Sequence, residues 1–272
     1  MQDITLLQSS QYSAATASFL KYSDLTVKRA DLKTLRRILA AFSKIPYENV
    51  SKIIRYNTCG FRGERMFRFP DELWEDYRHH SLGGTCFSLT FFLQSILENS
   101  GYVCYPVSAD MKWGKHVHCG LVVILGQEAW FCDPGYLLAE PLLLSGREVK
   151  ICQTPERGVM LAYISGSYQL ATFNGNQSKW RYTFKNVPCL QADFVKWWLQ
   201  SFEKPTMRDL CLTRQEPGGM VYVHNNYFRE VTRQGIRKQR LEQNWINQIE
   251  AIFGIPVQML KTAHELSRGK VQ

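Results

Sequence analysis

Several features are missing from this sequence, and each absence closes a route. No stretch approaches the ~20 consecutive apolar residues that a bilayer-spanning helix requires. The longest apolar runs, such as Leu121–Leu125, have the length of buried strands. The opening residues, Met1 to Thr5, lack the basic flank and apolar run of a secretory leader. There is no C-x-x-C pair: the eight cysteines, at 59, 86, 104, 119, 132, 152, 189 and 211, are scattered along 272 residues. Such density and spacing do not suit a disulfide framework, which belongs to short secreted chains. No internal repeat and no low-complexity linker interrupts the chain. No nucleic-acid motif accompanies the formal net charge of +9, whose basic residues are dispersed. The expectation is a cytoplasmic protein with no membrane span and no nucleic-acid partner.

What is present suits a folded enzyme-sized chain. Hydrophobic residues make up 45%, enough for a sizeable core. The densest basic cluster is Arg229, Arg233, Arg237, Lys238 and Arg240. It reads first as a solvated helix or loop face, and second as a surface attracting a polyanionic small ligand such as a phosphorylated nucleotide carrier.

Residues 11 to about 100 read as helical. Leu32, Leu35, Ile38, Leu39 and Phe42 recur at helical spacing, and Pro46 closes that segment. A loop is expected from about Tyr56 to Leu82. A second helix starts near Cys86, with Leu89, Phe92, Leu93, Ile96 and Leu97 on one stripe and Gly101 as a left-handed C-terminal cap. From Tyr102 the pattern changes to short strands: Tyr102–Val107, His118–Leu125, Glu128–Cys132, Gly158–Ile164, Tyr168–Phe173 and Lys179–Phe184. A helix over Gln191–Phe202, strands over Arg208–Thr213 and Gly219–Val223, and a helix over Leu241–Phe253 follow. The order makes an α+β chain of three consecutive pieces, with boundaries expected at 1–100, 101–203 and 204–272.

The chemistry concentrates around Cys86. Gly83-Gly84-Thr85 allows a sharp turn ahead of the helix, with Thr85 as its N-cap, so Cys86 falls in the first turn. Unpaired N–H groups and the helix dipole favour a thiolate there, and the same N–H groups can receive an oxyanion. Alone, such a cysteine is more readily a core thiol continuing the stripe of Leu89. The histidines shift the balance. If Gly126-Gln127 is a type II′ hairpin turn, facing residues sum to 253. His118 and Asp133 then become diagonal neighbours on one face, with Gly120 leaving room for the imidazole to lean across. A carboxylate on one imidazole nitrogen leaves the other free to take a thiol proton. His116 shares the face one step further away and ranks second. His118 as a plain strand residue, with Asp133 starting a turn with Pro134-Gly135, is the duller alternative. A zinc site is rejected, because Cys119 and Cys132 have the parity of the opposite face from His118.

With these residues in order, the sequence resembles the arylamine N-acetyltransferase family. The resemblance rests on Ile45-Pro46-Tyr47-Glu48-Asn49, Gly83-Gly84-Thr85-Cys86-Phe87, His118 entering a strand, and Trp130-Phe131-Cys132-Asp133-Pro134-Gly135-Tyr136. Trp180-Arg181-Tyr182-Thr183-Phe184 and Ile252-Phe253-Gly254-Ile255-Pro256-Val257 extend it over nearly the whole chain. It implies a helical N-terminal bundle carrying the nucleophile, a central β-barrel carrying His and Asp, and a C-terminal α/β lid, around a cysteine-protease-like Cys-His-Asp core. It also implies a two-step transfer in which Cys86 takes an acyl group from acetyl-coenzyme A, with no metal, and yields it to an arylamine, hydrazine or N-hydroxyarylamine. His118 would be the base, Asp133 the orienting carboxylate, and Tyr136 an aromatic near the acceptor.

The sequence departs from the family at Leu82 (usually Arg), Ser88 (often Glu), Thr90 (often Asn), Pro134 and Tyr136-Leu137. Loss of the Arg and Glu together reads as one ion pair removed as a unit. These departures keep other acceptors in view: an amide-forming relative in natural-product synthesis, a carrier protein as donor, a transglutaminase-like thiol enzyme, or a non-catalytic binding relative.

Overall fold

The computed structural model describes residues 7–60, 63–154, 157–174 and 176–269; the Met1–Thr5 segment read for a leader lies outside them. The N-terminal part is a set of five helices: α1 (Ser13–Tyr22), α2 (Leu32–Phe42), α3 (Val50–Thr58), α4 (Pro70–His80) and α5 (Cys86–Asn99). Asp31 caps α2, its carboxylate accepting from Thr34 N–H at 2.8 Å. The helix buries Leu35, Ile38, Leu39 and Phe42, the stripe that its spacing predicts. The expected loop from Tyr56 to Leu82 is corrected: it contains the end of α3 and all of α4. Turn formers and charge hide α4 in the sequence, but Pro70 starts it at the first helical position, where a missing N–H costs nothing. Leu73 and Trp74 are its buried anchors.

Helix α5 is the hub, since nearly all its residues from Cys86 to Leu97 are buried. It ends as expected on Gly101, at φ +83°, with Gly101 N–H on Glu98 O and Tyr102 N–H on Leu97 O, both 3.0 Å. Phe92, Leu93, Ile96 and Leu97 pack with the α2 stripe and with Leu121 and Val123 of the following sheet. This shared core joins helices to strands.

The main sheet has eight antiparallel strands in the order β5-β4-β3-β2-β9-β8-β7-β6: β2 (Val103–Met111), β3 (Gly114–Leu125), β4 (Glu128–Cys132), β5 (Leu142–Leu143), β6 (Val149–Thr154), β7 (Arg157–Ile164), β8 (Ser167–Asn174) and β9 (Gln177–Phe184). It curls until its edge strands β5 and β6 touch, a nearly closed barrel. Val107, Val122, Phe131, Leu170, Tyr182 and Phe184 fill it. The β3–β4 hairpin turns on Gly126 at φ +62°, pairing Leu125 with Glu128 and Leu121 with Cys132, the register inferred from the turn.

A second sheet, β1-β10-β11-β12-β13, joins β1 (Tyr47–Glu48) to β10 (Cys211–Glu216), β11 (Gly219–His224), β12 (Tyr227–Val231) and β13 (Ile236–Arg240). Helix α6 (Gln191–Gln200) leads from the barrel to the lid, which α7 (Trp245–Phe253) and α8 (Val257–Arg268) complete. The basic cluster is therefore corrected: Arg229 lies on β12, and Arg237, Lys238 and Arg240 on its partner β13, a hairpin rather than a helix or loop. Among the described residues, no helix is long and apolar enough to cross a membrane.

Candidate active site

The segment Ile45–Asn49 shows how the nucleophile turn is held. Tyr47 forms a parallel bridge with Gly84, with Glu48 N–H donating to Gly84 O at 3.0 Å, and on its other side β1 pairs with β10. Backbone approach here is so close that a Cβ on Gly83 would lie 1.7 Å from Pro46 O. Only glycine fits that contact. Asn49 ties the lid to the same segment: its amide donates to Thr206 O and Asp209 O, both 2.7 Å, and its oxygen accepts from Cys211 N–H at 2.8 Å.

Glu48 is fully buried and is balanced by Arg68. The guanidinium reaches Glu48 Oε1 at 3.4 Å, Asp76 Oδ2 at 2.7 Å and Gly83 O at 2.6 Å, so the same side chain braces the turn before Cys86. Leu82 is buried in the core, and Ser88 folds back, Oγ to Thr85 O at 3.0 Å. A cation thus remains beside Glu48, delivered by Arg68 from the segment before α4. Thr85 occupies the N-cap position of α5, but its side chain makes no capping hydrogen bond, in contrast to expectation; Ser88 engages the Thr85 carbonyl instead.

Cys86 starts α5 and is 8% exposed. His118 and Asp133 meet it at Gly135. A Cβ there would stand 2.9 Å from His118 Cε1, 3.0 Å from Cys86 Cβ and 3.3 Å from Asp133 Oδ1. His118 Nε2 hydrogen-bonds Asp133 Oδ2 at 2.9 Å. The carboxylate, fully buried, also accepts Tyr136 N–H at 2.9 Å and a short hydrogen bond from the Tyr182 hydroxyl. Three donors hold one carboxylate still. Tyr136 stands edge-on to His118 with ring centroids 5.4 Å apart, and Tyr182 lies 4.7 Å from the imidazole.

His116 does not join them. It is committed elsewhere, stacked on Trp197 at 4.1 Å and hydrogen-bonded to Ser108 Oγ at 2.9 Å. His79 and His80 end α4 on its exposed side, and His264 stands against Trp245. Two neighbours escaped the sequence reading. Tyr182 carried a usable clue, since it shares strand parity with the buried Phe184. Cys119 did not, because parity places it away from His118 and says nothing about α5.

Electrostatics follow the geometry. Cys86 is held well below the usual thiol range, first by a hydrogen bond from Cys119 and then, against the opposing effect of burial, by His118 and Lys52. Burial disfavours charge on His118, but the Asp133 carboxylate and then the Cys86 sulfur outweigh it and push the imidazole up to about 10. Both shifts favour a thiolate–imidazolium pair.

A sequence model of the N-acetyltransferase family matches residues 31–262. This chain belongs to the arylamine N-acetyltransferase family. It is therefore an enzyme of that acyltransferase class. Solved arylamine N-acetyltransferases share the fold at low identity. The Mycobacterium abscessus protein superposes with a TM-score of 0.78 at 17% identity, covering 93% of this chain and 94% of its own. The Salmonella typhimurium protein gives 0.76 at 18%, with coverages of 93% and 98%. The Mycobacterium marinum protein in complex with CoA gives 0.77 at 16%, with coverages of 92% and 98%. No curated protein sequence matches the chain.

Proposed function

We propose that this enzyme moves an acetyl or other acyl group from acyl-coenzyme A, through a thioester on Cys86, to an arylamine, hydrazine or N-hydroxyarylamine. The observation that carries the proposal is the convergence on Gly135 of the Cys86 side chain, at the head of α5, with an imidazole anchored by Asp133. Cys86 thiolate attacks the thioester carbonyl; the S–C bond to Cys86 forms as coenzyme A leaves, taking a proton from His118. The acceptor nitrogen then attacks the Cys86 thioester, His118 takes its proton, and the thiolate is expelled. First-turn N–H groups of α5 are suited to the oxyanion of both tetrahedral intermediates. Tyr136, beside His118, is the residue assigned to the acceptor. The CoA complex of the M. marinum relative and the net charge of +9 support a polyphosphorylated donor. In this reading residues 1–100 supply the nucleophile, 101–203 the base and carboxylate, and 204–272 the cover. A cytoplasmic site of action completes the reading.

Steady-state kinetics test it: acetyl-coenzyme A varied against a panel of anilines and hydrazides. Parallel double-reciprocal lines, the mark of two half-reactions, are expected. Converging lines, or no turnover with any donor–acceptor pair, would contradict the proposal.

A further inference from the structure

Arg181 is a half-buried cation that the two half-reactions leave unused. It stands on β9 at a break in register. Leu170 of β8 pairs with Tyr182 and Ala171 with Trp180, so Arg181 is the extra residue of a β-bulge. Bulges re-aim side chains, and they recur beside active sites. Here the guanidinium is turned to the inner face of the barrel. Tyr168 and Leu170 are buried on that face, and Thr172, two residues further along β8, shares it. Arg181 Nε donates to Thr172 Oγ1 at 2.8 Å.

The layers inside the barrel set this pair against the loop that carries Tyr136. Phe131 of β4 stacks on Phe184 of β9 with ring centroids 4.2 Å apart. One layer nearer the end that holds His118, Asp133 accepts the Tyr182 hydroxyl. The following layer holds the loop after Asp133 on one side, and Thr172 with Arg181 on the other. The Tyr136 ring lies 5.4 Å from the ring of Tyr182, the residue next to Arg181. Electrostatics agree with this placement: burial pushes the Tyr136 phenol up, and the Arg181 guanidinium pulls against it.

The cation has no anion of its own. Thr172 is neutral, and among the described residues no carboxylate pairs with Arg181. With Nε committed to Thr172, the two Nη groups remain as a fork, the shape that receives a carboxylate through two parallel hydrogen bonds. We infer that Arg181 selects acceptors carrying a carboxylate on the far side of the ring from the amine, as in an aminobenzoate. The inference rests on the proposed transfer, in which the acceptor lies between His118 and Tyr136. An amine attacking the Cys86 thioester with its ring along Tyr136 points its far substituent to the layer of Arg181. No proton moves at this contact and no covalent bond changes; it binds and orients.

The test needs no acyl donor. Protection of Cys86 from iodoacetamide, read by intact mass on the full chain, reports occupancy of the acceptor site. The probes are 4-aminobenzoate and its neutral counterpart 4-aminobenzamide. The native protein should be half-protected by the acid at a concentration at least about tenfold below that of the amide, the margin of a charge-assisted pair. In Arg181→Leu and Arg181→Gln that ratio should fall to near one. Arg181→Lys, which keeps the charge and loses the fork, should fall between. Near-UV circular dichroism selects the folded variants, so failure of one leaves the others to decide. The same ratio in native and variant proteins, or no native preference for the acid, would overturn the inference. So would an equal loss of protection by coenzyme A in Arg181→Leu, since Arg181 would then serve the donor. Turnover separates this inference from the transfer it rests on. A chain that binds the acid through Arg181 yet acetylates neither amine would sink the transfer and leave the carboxylate site standing. Acetylation of both amines at a kcat/KM ratio that Arg181→Leu does not alter would sink the inference alone.

Discussion

At the scale of single residues, the account depends on how few atoms separate the sulfur, the imidazole and the carboxylate. Cys86→Ala should abolish turnover and leave the circular dichroism spectrum unchanged. Asp133→Asn should cost about 10⁴ in kcat by releasing the imidazole from its orientation. Gly135 is a less obvious target: its Cβ would press on His118 Cε1 at 2.9 Å and Cys86 Cβ at 3.0 Å. Gly135→Ala should therefore lower kcat more than tenfold, with thermal denaturation showing a fold that survives. The pH dependence has a definite sign. Cys86 is pushed down and His118 up to about 10, so the ion pair persists through neutrality and into mildly acidic solution. At pH 6 an ordinary thiol, with a pKa near ~8.5, is less than about 1% ionised. Iodoacetamide should nonetheless modify Cys86 at that pH much faster than free cysteine, and equal rates would contradict the assignment. The residues themselves were legible because each occupies a position that the chain marks: a Gly-Gly turn before a helix, and a two-residue hairpin that fixes register. Tyr182 and Cys119 were not, since what matters about them is contact across elements distant in sequence.

At the scale of elements, a charged brace holds the reactive turn. Arg68 links Glu48, Asp76 and the Gly83 carbonyl, and Glu48 has no exposure to solvent. Arg68→Met leaves that carboxylate without its cation, which typically costs about 3–5 kcal/mol. Urea denaturation should register a loss of that size, and Glu48→Gln in the same chain should return part of it. Here the sequence was only half legible. Leu82 and Ser88 stand where the resemblance implies an ion pair, and Arg68, the cation beside Glu48, lies 14 residues upstream of Leu82, beyond any local pattern. The β3–β4 hairpin and the bounds of β4 followed from alternation and turn residues, whereas β2 runs on to Met111 and β3 begins at Gly114, each four residues beyond the expected end. Strand β13 was hidden because its exposed Arg237, Lys238 and Arg240 look like a loop, and β12 lost its partner with it. Helix α4 was hidden because its buried residues, Pro70, Leu73 and Trp74, all lie in its first turn and a half, and the rest of it is polar or charged.

At the scale of the whole molecule, three structural layers meet over one sulfur. Helix α5 presents it, the barrel brings His118 and Asp133, and β1 joins the nucleophile turn to the lid sheet. The lid also touches the segment after Asp133, where Gln215 Nε2 donates to Leu137 O at 3.0 Å. Net charge acts at this scale too. A positive molecule gathers a polyanionic donor at long range, an attraction that salt screens over about 10 Å at 0.1 M. KM for acetyl-coenzyme A should rise with ionic strength, whereas KM for an uncharged acetyl ester should not; equal salt dependence would remove charge from the account of donor binding. The three-layer order was readable from the switch between helical and strand periodicities, and its closure around Cys86 came only from tertiary contacts.

The most direct test of the central claim is the intact mass of the chain after brief exposure to acetyl-coenzyme A. One added acetyl group, mapped to Cys86 and discharged when an arylamine is supplied, is the predicted result. A chain that stays unmodified with every acyl donor offered, or that carries a stable acetyl group on another residue, would contradict it.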